Sequence, residues 1–161
     1  MKKLSALIIF GIAFGMLESI VVVYLHEIIG RNVNTISAGS YTMLLNLGVI
    51  AFILPHQPIL LSARNELIEM WREFATIVML VSIAYITGSN WKQRSGAFLV
   101  AFAAWDLFYY VFLSVFTNWP NNLFNIDVYF LIPVPWVGPV ITPVIASVII
   151  FVLGTRLFLK K

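Results

Sequence analysis

Apolar runs about as long as a bilayer's hydrocarbon core is thick recur along this chain, parted by short polar connections. A helix that crosses a membrane needs about 20 mostly apolar residues. Five segments meet that length, over 4–29, 41–61, 66–87, 95–117 and 139–159. Hydrophobic residues make up 61% of the chain and charged residues 11%, against about half and about a quarter in soluble domains. A water-soluble fold of this size buries too small a share of its surface to hide that much apolar area. The expectation is an all-α integral membrane protein, a single domain over 1–161 built as a bundle of about five transmembrane helices.

The boundaries follow from breakers. Gly30-Arg31-Asn32 ends the first run, and Gly88-Ser89-Asn90 ends the third. Pro55 and Pro58 kink or unwind the end of the second. Residues 118–138 open with Asn118-Trp119-Pro120-Asn121-Asn122 and close with Pro133-Val134-Pro135-Trp136-Val137-Gly138. Their apolar stretch is too short to cross, so an interfacial or re-entrant loop is expected before the last helix. Lys2-Lys3 ahead of an apolar run resembles a signal peptide. The run continues past Glu18 without a small-residue cleavage site, so a retained first span is expected.

Arg31, Lys92, Arg94, Arg156, Lys160 and Lys161 fall on one side of a five-span chain, and Lys2, Lys3 and Arg64 on the other. The positive-inside rule then gives N-out and C-in, with Lys2-Lys3 arguing against it. The ten Lys and Arg are scattered rather than gathered into a stripe, so they read as topology and headgroup anchors and not as a nucleic-acid surface. The expected partners are the lipid bilayer and other membrane subunits or further copies of the chain.

There is no cysteine, which excludes disulfides, thiolate metal sites and iron–sulfur ligation. His26 and His56 close successive spans and so fall at opposite membrane faces, which disfavours bis-His haem. No cofactor is otherwise indicated.

Ionisable groups at membrane depth cost about 2.5–3.5 kcal/mol on insertion scales and must face the interior with partners. Glu18 neighbours a small-residue stripe, Gly11, Gly15 and Ser19, that lets another helix approach. Glu66, Glu69 and Glu73 share one helix face beside Arg72, and they repel unless a proton, a cation or that guanidinium offsets them. Asp106 lies mid-run, with Tyr109 and Tyr110 placed to reach its carboxyl. At the outer face, His56 is a candidate to join Glu69, Glu73 or Asp127 around a cation, and Asp127 is otherwise a hydrogen-bonded loop carboxylate. The Glu-x-x-x-Glu spacing is not the Glu-x-x-His of di-iron bundles, so no metal site is assigned. Glu18, Glu69, Arg72, Glu73, Asp106, Tyr109 and Tyr110 are the intramembrane candidates.

The strings Glu69-x-x-Arg72-Glu73, Trp105-Asp106-x-x-Tyr109-Tyr110 and Asp127 through Trp136 to Pro139 resemble those of small bacterial inner-membrane proteins. That resemblance covers roughly the last two-thirds of the chain, implies a bacterial cytoplasmic membrane, and carries no catalytic role. A looser one, to lipoprotein signal peptidases, rests on Asn46-x-Gly48-x-x-Ala51-Phe52 and Phe124-Asn125-Ile126-Asp127. It would make Asp106 and Asp127 a catalytic pair. The first motif carries an extra residue, the Gly-Asn element is missing, and Asp106 is expected mid-helix, all departures from that family.

Three functions fit these residues. The carboxylates could serve proton, cation or small-solute transport, could be interhelical glue in a subunit of a larger membrane complex, or could be acid/base groups or metal ligands of an intramembrane enzyme. No phosphate-binding loop, Gly-x-Ser-x-Gly or His-Glu-x-x-His pattern is present, so an enzyme is the least expected of the three.

Overall fold

A computed structural model of the chain describes residues 2–29, 40–60 and 62–160. The expected stop at Gly30-Arg31-Asn32, with Arg31 as an anchor, lies outside the described residues, as do Lys161 and the side chain of His26. The described residues form four helices and one four-stranded sheet: α1 (Lys2–Ile29), β1 (Tyr41–Asn46), β2 (Ala51–Pro55), α2 (Ala63–Thr87), α3 (Trp91–Thr117), β3 (Ile126–Phe130), β4 (Trp136–Pro139) and α4 (Ile141–Leu159). The architecture is therefore α+β, not an all-α bundle of five spans. Three helices are long and apolar enough to cross a membrane: α1 over Lys2–Leu25, α3 and α4.

The main correction falls on 41–61. This apolar run is a β-hairpin, with Tyr41 opposite Pro55 and Asn46 opposite Ala51. An apolar run cannot be assigned to helix by hydrophobicity alone, and breakers decide between the two. Here Asn46 Oδ1 accepts from the Gly48 amide at 2.8 Å. Gly48 takes φ +84, a left-handed conformation open to glycine without strain. The turn splits one long run into two strands of ordinary length, and Pro55 ends the second. The expected loop over 118–138 is corrected likewise, since it holds β3 and β4. The sheet order is β1-β2-β4-β3 with every pair antiparallel.

Caps set the helix starts. Ser62 accepts from the Asn65 amide at 3.2 Å ahead of α2, and Asn90 from the Gln93 amide at 3.0 Å ahead of α3. Pro143 sits in the first turn of α4, where the missing N–H breaks no intrahelical bond.

Small residues set the packing. A Cβ on Gly11 would stand 2.6 Å from the Ala104 Cβ, and one on Gly15 2.6 Å from the Trp105 carbonyl. The expected stripe on α1 is thus its seam with α3, and the two helices run parallel. Gly96 and Gly154 make the matching close approach between α3 and α4. Leu7, Leu80, Ala97, Val100 and Ala101 fill the core of this half.

Lys3 of α1 meets the carbonyl of Thr87 at the end of α2, and Gly96 of α3 meets Phe158 near the end of α4. Lys2 and Lys160 therefore lie at one end of the bundle and the sheet at the other.

The helix α2 is inside-out for a water-soluble protein. Glu73, Thr76, Leu80 and Ala84 are buried against the bundle, while Leu67, Trp71, Phe74, Val78, Val81 and Tyr85 face outward, with Trp71 63% exposed. Such an exposed apolar face is larger than a water-soluble monomer ordinarily leaves uncovered.

Candidate functional site: a carboxylate-lined cavity

Where α1, α2 and α3 meet the sheet they enclose a cavity of about 110 Å³, room for a few waters or one small cation. Helix α1 brings Glu18, α2 brings Glu69, Arg72 and Glu73, α3 brings Asp106, Tyr109 and Tyr110, and β3 brings Asp127. Every intramembrane candidate of the sequence lines this one space, and Asp127 joins them.

Arg72 is the hub. Its guanidinium forms an ion pair with Glu18 across the α1–α2 contact. It also holds Glu69 one turn back on its own helix, with Nε 2.9 Å from both carboxylate oxygens. Glu18 lies one turn beyond Gly15, beside the buried Ser19 of the small-residue stripe. Glu73 points elsewhere: the Leu131 amide just beyond β3 donates to its two oxygens at 2.9 and 3.0 Å. An N–H from outside the helices thus ties α2 to the sheet, a contact stronger than a neutral bond when the carboxylate is ionised.

The aspartates have different partners from those their spacing suggests. Asp106 accepts from the Ser147 hydroxyl of α4 at 2.8 Å. The Tyr110 hydroxyl donates to Asp127 at 2.8 Å instead of to Asp106, and the Val128 amide donates to the other Asp127 oxygen at 2.9 Å. Tyr109 stacks edge-on against Tyr110, ring centroids 4.9 Å apart. Burial pushes the Asp127 carboxyl up to about 7, against the pull of its two donors.

Two candidates do not join. His56 pairs with the Thr42 hydroxyl at 2.9 Å at the exposed base of the hairpin, and it does not line the cavity. Glu66 turns back to accept from the Ile59 amide at 2.7 Å, closing the connection ahead of α2. Among the described residues, no group of three or more His, Asp and Glu has metal-holding geometry.

Sequence reasoning missed Ser147, Thr76, the Leu131 amide and Trp105. Thr76 and Trp105 line the cavity, and the Trp105 indole N–H is buried without a partner among the described residues, a donor open to a water or to an oxygen of a guest. Ser147, fully buried in an apolar run, is the one of these with a readable signal, because a lone hydroxyl at depth needs a partner.

Five carboxyl groups face one guanidinium here. Such an arrangement can carry protons among its acids or seat a cation, and it repels anions. No known protein family, curated protein or solved structure matches the chain.

Proposed function

We propose that this chain is a membrane protein that handles protons or a small cation through its carboxylate cavity. One observation carries the proposal: five acids from three helices and a strand converge on one partly open cavity, with a single fixed cation among them. An acid excess around a cavity favours uptake of positive charge. Arg72 holds Glu18 and Glu69, while Glu73, Asp106 and Asp127 are held by neutral donors alone, which leaves their charge to be balanced by a proton or a guest.

Charge distribution supports an orientation. Lys2, Lys3, Lys92, Arg94, Arg156 and Lys160 gather at the end of the bundle away from the sheet. By the positive-inside rule that end faces the cytoplasm. Both chain ends are then cytoplasmic, and the cavity and sheet lie toward the outer face of a bacterial inner membrane.

Purified protein in liposomes tests the reading. Glu73→Gln and Asp106→Asn should each reduce proton or monovalent-cation flux by about tenfold, the scale of one lost ionisable partner, while melting temperature in detergent changes little. Flux equal to wild type in both variants removes the cavity from any transport role.

A second reading takes the same acids as interhelical glue in a subunit of a larger assembly. It is favoured by the partner each acid already has within the chain. A stoichiometric membrane partner retained in mild detergent supports it, and a stable chain that transports by itself excludes it.

A further inference from the structure

At the basic end, α2 and α3 part to leave an open groove of about 320 Å³ on the outside of the bundle. Its floor is apolar, formed by Ala84 of α2 and by Phe98 and Leu99 of α3, and Tyr85, Trp91 and Arg94 stand at its mouth. The tight link between the helices shapes that mouth: a Cβ on Gly88 would lie 2.4 Å from the Arg94 amide nitrogen.

Arg94 is fixed, not free to sweep the surface. Its guanidinium carbon lies 3.9 Å from the centroid of the Tyr85 ring, and its Nε donates to the Gly88 carbonyl at 3.2 Å. Those contacts orient the guanidinium without neutralising it. Among the described residues Arg94 has no ion pair, and all seven acids of the chain lie in the half of the bundle toward the sheet. Lys92 and Lys3 stand at the same end, so the positive field over the groove is unopposed. Trp91, 79% exposed, is an aromatic of the kind that settles at the headgroup level.

From this combination we infer that the groove between α2 and α3 is a binding site for an anionic phospholipid, its acyl chain along Ala84, Phe98 and Leu99 and its phosphate at Arg94. A basic pocket between helices on the cytoplasmic side is a recurrent seat for such headgroups. The groove contributes an apolar wall to the chain of the lipid, and the guanidinium contributes planar donors to its phosphate oxygens. A zwitterionic lipid satisfies the wall but carries a positive headgroup against the basic field. Inorganic phosphate meets the cation and gains nothing from the wall.

Native mass spectrometry of the full chain, released from mild detergent with equimolar phosphatidylglycerol and phosphatidylcholine, tests the inference. The wild type should retain phosphatidylglycerol about fivefold better, the factor one surface cation supplies. Arg94→Gln should bring the ratio near one, Arg94→Lys should keep most of it, and Arg64→Gln at the opposite end should leave it unchanged. Ser95→Trp, which fills the groove beside an intact Arg94, should lower retention of both lipids. Millimolar inorganic phosphate should not displace the bound lipid. The inference is overturned if the wild type holds both lipids equally, if Arg94→Gln keeps the preference, or if an equimolar protein must be stripped from the groove before lipid enters.

Discussion

The two ends of this bundle solve the same problem by opposite means. At the basic end the helices meet by leaving atoms out: Gly96 lets α3 reach the backbone of α4 at Phe158, and Ala97, Val100 and Ala101 fill what remains without a polar atom. At the sheet end α1, α2 and α3 surround a cavity, and charge and hydrogen bonds span it, through Arg72 with Glu18 and Glu69, Leu131 with Glu73 and Ser147 with Asp106. Close packing gives rigidity and no chemistry. A polar network of marginal charge balance gives a site that responds to protons and cations. The molecule thus separates its anchor from its reactive part along a single axis, and the two halves should fail in different ways when altered.

The largest effect is expected at Arg72. Replacing it by Met leaves Glu18 and Glu69 buried without their counter-ion, and breaking a buried pair from one side costs about 4 kcal/mol. Thermal unfolding in detergent should show the loss. Adding Glu18→Gln and Glu69→Gln to Arg72→Met should recover most of it, because the penalty is uncompensated charge and not lost volume. Failure of that rescue would mean the sheet end is held by packing, like its opposite.

The matching change at the basic end is Gly96→Leu. A Cβ there would stand 2.4 Å from the Phe158 amide nitrogen, so the obstruction is backbone and cannot rotate away. Overpacking of this kind costs about 2–3 kcal/mol. No change of pH or nearby charge should relieve it, which is the contrast with Arg72 in its sharpest form.

How much of this was legible in the residues alone differs between the same two ends. The glycine seam on α1, the apolar runs and the acids at depth are all visible as patterns, because spacing on a helix fixes which residues share a face. The cost of burying charge singles out Glu18, Glu73 and Asp106 as inward-facing, with Arg72 and Tyr109 or Tyr110 as expected partners. The partners that Glu73 and Asp106 actually take do not follow from it. Ser147 and the Leu131 amide reach their acids across 41 and 58 residues of chain, and no local periodicity encodes contacts at that range. The hairpin is hidden for another reason: 41–61 is apolar almost throughout, so the alternation that marks a half-buried strand is missing. Asn46-x-Gly48 and the following prolines were the available signal, and they were outweighed by length.

Proton dependence should divide the ends next. Burial raises the Asp127 carboxyl to about 7, while in the unfolded chain it titrates near the ordinary aspartate value of about 3.9. Between those values folding takes up a proton, so the contribution of Asp127 to stability falls as pH rises through that window and levels off above it. The loss should be on the order of 2 kcal/mol, allowing for relaxation around the charge. Melting temperatures from pH 5 to pH 8 should therefore decline in the wild type and flatten in Asp127→Asn. An unchanged slope in the variant would assign the dependence to the other acids of the cavity.

The smallest expected effect tests the basic end by its own charge. Helix α2 has no basic residue in its last turn, so its final carbonyls lack a cation from their own helix. Lys3 supplies one from α1, its Nζ donating to the Thr87 carbonyl at 3.0 Å. A cation at a helix C-terminus is worth about 0.5 kcal/mol when exposed, and salt screens it. Lys3→Ala should lower the melting temperature by no more than a degree or two in dilute buffer and by nothing measurable at high salt. Arg72→Met should be nearly blind to salt, since its partners are enclosed. Of two cations on one molecule, one would then respond to salt and the other would not, because Lys3 stands exposed and Arg72 is largely buried beside the acids it holds. If Lys3→Ala proved as costly and as salt-resistant as Arg72→Met, the basic end would depend on buried charge as well, and the division of labour between the two ends would be lost.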